Sequence, residues 1–216
     1  MCCDNNNVQS LPRLGSPAPD FEAVTTHGIL RLEDFRGGWL ILFSHPADFT
    51  PVCTTEFMAF AGIHQQLRER NVELLGLSID SVFSHIAWVR NIEEKMGVKI
   101  TFPVIADLNR EVATAYGMIM PGDSKTETSR CVFVIDPEGI VRAMIYYPLT
   151  TGRNTDELLR VIDALQASDT HQVATPANWR PGDKVIVPPP NTQDTAEDRV
   201  GQGYECKDWY FCKKDI

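Results

Sequence analysis

The chain of 216 residues has no Cys-x-x-Cys pair, no Lys/Arg block longer than two, no internal repeat and no apolar run longer than a strand. Each absence excludes a class of function. Without a long apolar run nothing is expected to span a membrane. A formal net charge of −9 with no basic block argues against electrostatic capture of nucleic acid or anionic lipid. No His/Cys group has zinc-finger spacing, so no structural metal is expected. The opening Met1-Cys2-Cys3-Asp4 has neither the basic nor the apolar region of a secretory signal, and the expected compartment is the cytoplasm. In a reducing compartment the six cysteines, at 2, 3, 53, 131, 206 and 212, are not a disulfide scaffold and are read one by one.

What is present reads as alternating strands and helices. Gly15 to Phe21 is turn-rich, with two prolines. Trp39-Leu-Ile-Leu-Phe-Ser44 is a continuous apolar run suited to the centre of a sheet. Pro51 to about Arg70 reads as a helix with Phe57, Phe60, Ala61 and Leu67 on one face, and residues 72–79 as the next strand. A second helix starts at Ser81 and carries Ile86, Val89 and Met96. A short run from Phe102 and a brief helix near 111–116 follow. Residues 131–135 and 140–147 flank Asp136-Pro-Glu-Gly139, a hairpin signal. Asn154 caps a last helix, with Glu157 completing a capping box and Leu158, Val161, Ile162 and Leu165 on the apolar face.

This order predicts an α/β fold with a mixed central sheet flanked by helices, compatible with a thioredoxin-like core. The expected divisions are a flexible N-terminus at 1–12, the core at 13–168 and a Pro-rich C-terminal extension at 169–216.

The chemistry concentrates at Cys53. Thr50 is suited to the N-cap and Pro51 to the first helical position, which puts Cys53 in the first turn of a helix. Free N–H groups and the helix dipole favour an anion there, and the thiolate is the reactive form of cysteine. Taken alone, this supports a reactive cysteine beside the alternative of a small buried hydrophobe.

The run Pro46-x-x-x-Thr50-x-x-Cys53 resembles the peroxiredoxin active-site signature. Phe43-Ser-His-Pro-Ala-Asp-Phe-Thr-Pro-Val-Cys-Thr-Thr-Glu56 resembles its 1-Cys branch, the peroxiredoxin 6 type. The likeness continues through Ser129 to Gly139, Tyr147 to Asn154 and Ala177 to Asp183, and so covers nearly the whole chain beyond the first dozen residues. It implies a thioredoxin-like peroxidase that acts on hydrogen peroxide and organic hydroperoxides with neither metal nor organic cofactor. It further implies that Cys53 is the peroxidatic cysteine, shielded by Pro46, with Thr50 binding the peroxide and Arg130 stabilising thiolate and transferred oxygen. Arg153 is similar to a supporting arginine, Glu56 to the group that orients both guanidiniums, and His45 to a histidine beside the sulfur.

Cys206 and Cys212 depart from a strict 1-Cys pattern and resemble the C-terminal pair of archaeal-type members. The resemblance implies a Cys53–Cys212 disulfide between subunits that passes to Cys206–Cys212, with a thioredoxin-like or other thiol reductant as donor. It also implies homodimers that assemble to a decamer. Cys131 reads as a buried strand residue, and Cys2 and Cys3 as exposed thiols. Arg36-Gly-Gly-Trp-Leu40 lacks the serine of the lipase-type segment in mammalian members, so phospholipase activity is not carried over. A dithiol reductase would need a second cysteine where Thr50 stands. A redox-sensing oligomer that oxidises Cys53 without turnover is the non-catalytic alternative.

Overall fold

The computed structural model describes residues 11–216. Cys2, Cys3 and most of the stretch expected to be flexible lie outside the described residues. The chain forms two compact units, one ending at Thr155 and one beginning at Asp156.

The first unit is built on a seven-stranded sheet. Its strands are β1 (Glu22–Thr25), β2 (Gly28–Arg31), β3 (Trp39–Ser44), β4 (Val72–Ser78), β5 (Val104–Ala106), β6 (Arg130–Ile135) and β7 (Val141–Tyr147). Their order is β2-β1-β5-β4-β3-β6-β7. β3 pairs in parallel with β4, as β4 does with β5, while β6 runs antiparallel to both β3 and β7. The mixed sheet expected from the element order is therefore present. Three helices connect the strands: α1 (Pro51–Glu69), α2 (Val82–Met96) and α3 (Glu111–Ala115).

Every residue of β3 and β6 is buried, which is why Trp39 to Phe43 and Cys131 to Ile135 read as unbroken apolar runs. Side chains alternate across the sheet. Leu40 and Leu42 of β3 join Leu75, Leu77, Tyr116 and Phe133 in one cluster. Phe43 faces the other way, stacked on Phe60 at 4.1 Å between ring centres and edge-on to Phe57 at 5.7 Å. The Asp136–Gly139 turn forms as expected: Asp136 Oδ1 accepts from the N–H groups of Glu138 and Ile140, and Gly139 takes φ 76°.

Three differences from the sequence reading have physical causes. The hairpin of β1 and β2 was not anticipated, because its two strands are only four residues long and half exposed. The buried face of α2 is His85, Trp88 and Ile92, whereas Ile86 and Met96 are exposed. Trp88 packs 4.4 Å from Phe57 and His85 bonds to Asp48, and together they turn the helix away from its aliphatic stripe. On α1, Phe57, Phe60 and Leu67 are buried as expected, but Ile63 and His64 complete that face rather than Ala61.

The second unit begins with the long helix α4 (Thr155–His171), which starts directly after Asn154. Beyond it, β8 (Val185–Ile186), the short helix α5 (Gln193–Glu197), β9 (Glu205–Asp208) and β10 (Phe211–Lys214) follow. The strands form a three-stranded antiparallel sheet in the order β8-β10-β9. Ala164, Val173, Trp179 and Val185 make this unit's own core. Among the described residues no helix is long and apolar enough to cross a membrane.

Candidate active site

Cys53 lies in the first turn of α1, with Thr50 at the N-cap and Pro51 at the first helical position. The first intrahelical bond runs from Thr54 N–H to Thr50 O, so the Val52 and Cys53 N–H groups lie ahead of the ladder, at the positive end of the helix. The Thr50 hydroxyl does not cap the helix. It donates to Ala47 O at 2.9 Å, which spends its proton and leaves its oxygen lone pairs as acceptors. Pro46 is buried, and the Cys53 side chain is fully buried.

Arg130, the first residue of β6, reaches this sulfur: its Nη1 lies 3.3 Å from Cys53 Sγ. The guanidinium is held from two sides. Leu149 O accepts from Nε at 3.0 Å and Nη2 at 2.8 Å, and Glu56 Oε2 accepts from Nη1 at 2.6 Å. Glu56 stands three residues after Cys53 on α1 and is also gripped by Arg153. Arg153 N–H and Nε donate to Glu56 Oε1 at 2.9 and 2.8 Å, and Nη2 donates to Oε2 at 2.8 Å. Arg153 Nη1 donates to Ser44 O and Cys131 O, which ties the cluster to β3 and β6. Its guanidinium carbon also lies 5.1 Å from the Phe43 ring centre.

All three ionic side chains are nearly inaccessible. Burial opposes the charge of Glu56, yet the charge and hydrogen bonds of Arg153, aided by Arg130, hold it below the ordinary carboxylate range. Two guanidiniums and one carboxylate leave a net charge of +1 beside the sulfur. That positive charge is presented to the sulfur by Arg130 Nη1.

His45 follows β3 directly and is fully buried. Its Nε2 lies 2.9 Å from Asp48 Oδ1, while Nδ1 is buried with no hydrogen-bond partner among the described residues. Burial pushes the His45 imidazole down, and the adjacent Asp48 only partly offsets this. Asp48 also meets His85 of α2, whose Nδ1 lies 2.8 Å from Oδ2. Sequence reasoning missed both Asp48 and His85. The His-x-x-Asp spacing signalled the first, but nothing pointed to a histidine 37 residues farther along the chain. Among the described residues His45, Asp48 and His85 are also the group close enough to share a metal ion, with ligand atoms within 4.8 Å of one another. Those atoms are hydrogen-bonded to each other.

The structure thus brings Cys53, Arg130, Glu56 and Arg153 into one hydrogen-bonded cluster, with Thr50 and Pro46 on the segment leading into the helix. Cys131 is buried in β6 as expected, and burial pushes its thiol up to about 12. Cys206 and Cys212 lie in the second unit. They face each other across β9 and β10 and are joined by a disulfide.

The profile of the AhpC/TSA family matches residues 14–144, and that of the C-terminal domain of 1-Cys peroxiredoxin matches 164–203. The chain belongs to the AhpC/TSA family. A peroxiredoxin of Aquifex aeolicus is 60% identical over 97% of this chain and 99% of its own length. One from Methanosarcina mazei is 53% identical over 95% of this chain and 99% of its own. Among solved structures, a yeast mitochondrial 1-Cys peroxiredoxin superposes with a TM-score of 0.83 at 46% identity, covering 94% of this chain and 100% of that one. A cysteine-to-serine variant of peroxiredoxin 6 from Arenicola marina gives 0.83 at 38% identity, covering 94% and 97%. As a member of this family the chain is a thiol peroxidase with a thioredoxin-like fold, as its resemblance to the 1-Cys branch implied.

Proposed function

We propose that this peroxiredoxin reduces hydrogen peroxide and organic hydroperoxides through a Cys53 sulfenic acid, which the C-terminal cysteines resolve. The observation that carries the reading is the Arg130 guanidinium 3.3 Å from Cys53 Sγ, fixed by Glu56 and Leu149. In-line attack of the thiolate forms an S–O bond and breaks the O–O bond. The departing oxygen takes the electron pair and leaves as water or an alcohol once protonated. Fixed N–H donors at Arg130 and the helix start stabilise that developing charge. Thr50, with its proton committed to Ala47 O, accepts a hydrogen bond from the incoming peroxide. Pro46 screens the sulfur, and Arg153 and Glu56 keep Arg130 in place.

The sulfenic acid is then attacked by the thiol of Cys212 of the partner subunit, and water leaves as the disulfide forms. Cys206 exchanges into that disulfide, frees Cys53 and leaves Cys206–Cys212. That bond is present here, which favours this route over a strictly 1-Cys cycle. A thioredoxin-like or other thiol reductant completes turnover; the yeast relative is described as resolved through glutathione and thioredoxin systems. Homodimers that assemble to a decamer in the cytoplasm are the setting we assign. Exposed Phe49 and Phe83 offer apolar surface for a second copy.

A steady-state peroxide assay with a thiol donor tests the reading. Peroxide consumption no greater than that of Cys53→Ser would refute it. A non-reducing gel after one equivalent of peroxide tests resolution: a crosslinked dimer forming at wild-type yield in Cys212→Ser would exclude Cys212.

A further inference from the structure

The geometry points to Asp48 and His85 as positioning residues that hold His45 in a single tautomer, with its proton on Nε2 and a bare lone pair on Nδ1. Three observations carry this. First, Asp48 is an acceptor facing His45 Nε2 at 2.9 Å, so the proton of a neutral His45 belongs on that nitrogen. Second, His45 Nδ1 is buried with no partner among the described residues. A proton on Nδ1 would make it an orphaned buried N–H, which folded proteins rarely contain. Third, Asp48 is itself fixed. Its oxygens lie 2.8 and 3.0 Å from His85 Nδ1, its N–H donates to Asp80 Oδ2, and His85 Nε2 sits 3.0 Å from Ile105 O.

His85 therefore meets an acceptor at each ring nitrogen and donates from both. Asp48 carries the matching negative charge, and hydrogen bonds from His45 and His85 keep it ionised against the cost of burial. The cluster is a buried ion pair, Asp48 with His85, that grips a neutral His45. A carboxylate behind a histidine sets which nitrogen is open to chemistry.

The consequence for turnover rests on the reading of Cys53 given above. Cys53–SH plus ROOH yields Cys53–SOH plus ROH, so the thiol proton ends on the departing oxygen. With Nε2 occupied, Nδ1 is the one ring nitrogen of His45 left to accept a proton during that transfer.

The test is the imidazole ¹H–¹⁵N spectrum of reduced, ¹⁵N-labelled protein, together with the rate of Cys53 oxidation by peroxide. In the wild type, His45 should be protonated at Nε2 only and His85 at both nitrogens. In Asp48→Asn the amide NH₂ must face one of the two rings, His85 or His45. Facing His85, it should remove the Nδ1 proton of that ring and leave the His45 signals; facing His45, it should move the His45 proton from Nε2 to Nδ1. In Asp48→Leu the His45 proton should spread over both nitrogens, and oxidation should slow by about tenfold or more. A wild-type His45 protonated at Nδ1 overturns the inference. So does an Asp48→Asn spectrum in which neither histidine changes, or a folded Asp48→Leu with wild-type His45 signals. Should Asp48→Leu not fold, the first two spectra decide. The spectra do not depend on turnover, so failure of the peroxidase reading appears separately, in the Cys53→Ser comparison.

Discussion

Replacing Glu56 by Gln changes shape least and charge most at the centre of the site. Glu56 accepts four hydrogen bonds: two at Oε1 from Arg153, and one each at Oε2 from Arg153 and Arg130. A glutamine must put its NH₂ where one of these oxygens was, so in either orientation two of the four donors meet another donor. The charge beside the sulfur also rises from +1 to +2. Removing one member of a buried ionic group costs about 3–5 kcal/mol, and Glu56→Gln is expected to lose stability in that range at neutral pH.

The pH dependence supplies a second check. The folded-state pKa of Glu56 is depressed, so its contribution is fully present above the unfolded value of 4.5. It is lost as pH falls from there through the lower folded value. The stability gap between wild type and variant should therefore be constant at neutral pH and narrow progressively below about pH 4.5. Urea unfolding followed by tryptophan fluorescence at a series of pH values measures both effects. A neutral-pH gap under about 1 kcal/mol, or one that widens on acidification, would show that the Arg130–Glu56–Arg153 cluster does not hold the site together.

Other perturbations separate chemistry from scaffolding. Arg130→Met keeps the stem but removes the donor to sulfur and to the departing oxygen; stopped-flow oxidation of Cys53 should slow by about 10²–10³-fold. Phe43→Ala removes a fully buried ring that stacks on Phe60 and carries the Arg153 guanidinium, and should cost about 3–5 kcal/mol in denaturant unfolding. With its thiol raised to about 12 and fully buried, Cys131 should resist alkylation at pH 8 in the folded, reduced protein and react only after unfolding, as read by mass spectrometry.

Much of the first unit was legible because burial leaves a plain imprint on sequence. β3 and β6 are covered on both faces and so carry the apolar runs Trp39 to Phe43 and Cys131 to Ile135, and the Asp136–Gly139 turn announces the hairpin after β6. The β1–β2 hairpin left no such imprint: its four-residue strands expose most of their side chains and are placed by pairing with each other and with β5. The sheet of the second unit was hidden for a similar reason, its strands being two to four residues long among prolines and lysines. At the site, the helix start around Cys53 is a local signal and could be derived. Arg130 and Glu56 are 74 residues apart and Arg153 and Glu56 are 97, so only family likeness could join them. Asp48 and His85 were missed because their partnership is tertiary, and a histidine inside a helix reads as an ordinary polar residue.

The complete burial of Cys53 Sγ has a bearing on substrate range. A sulfur with no open face is reached either by molecules small enough to slip between the side chains above it or through brief loosening of the segment before α1. Hydrogen peroxide belongs to the first class, and its rate should be insensitive to the local rigidity of that segment. A bulky hydroperoxide belongs to the second, and its rate is multiplied by the fraction of time the segment is open, a factor of ten for each 1.4 kcal/mol of opening free energy. Selectivity would then be a property of local stability rather than of pocket shape. A stabilising osmolyte should slow the large substrate while leaving the small one untouched.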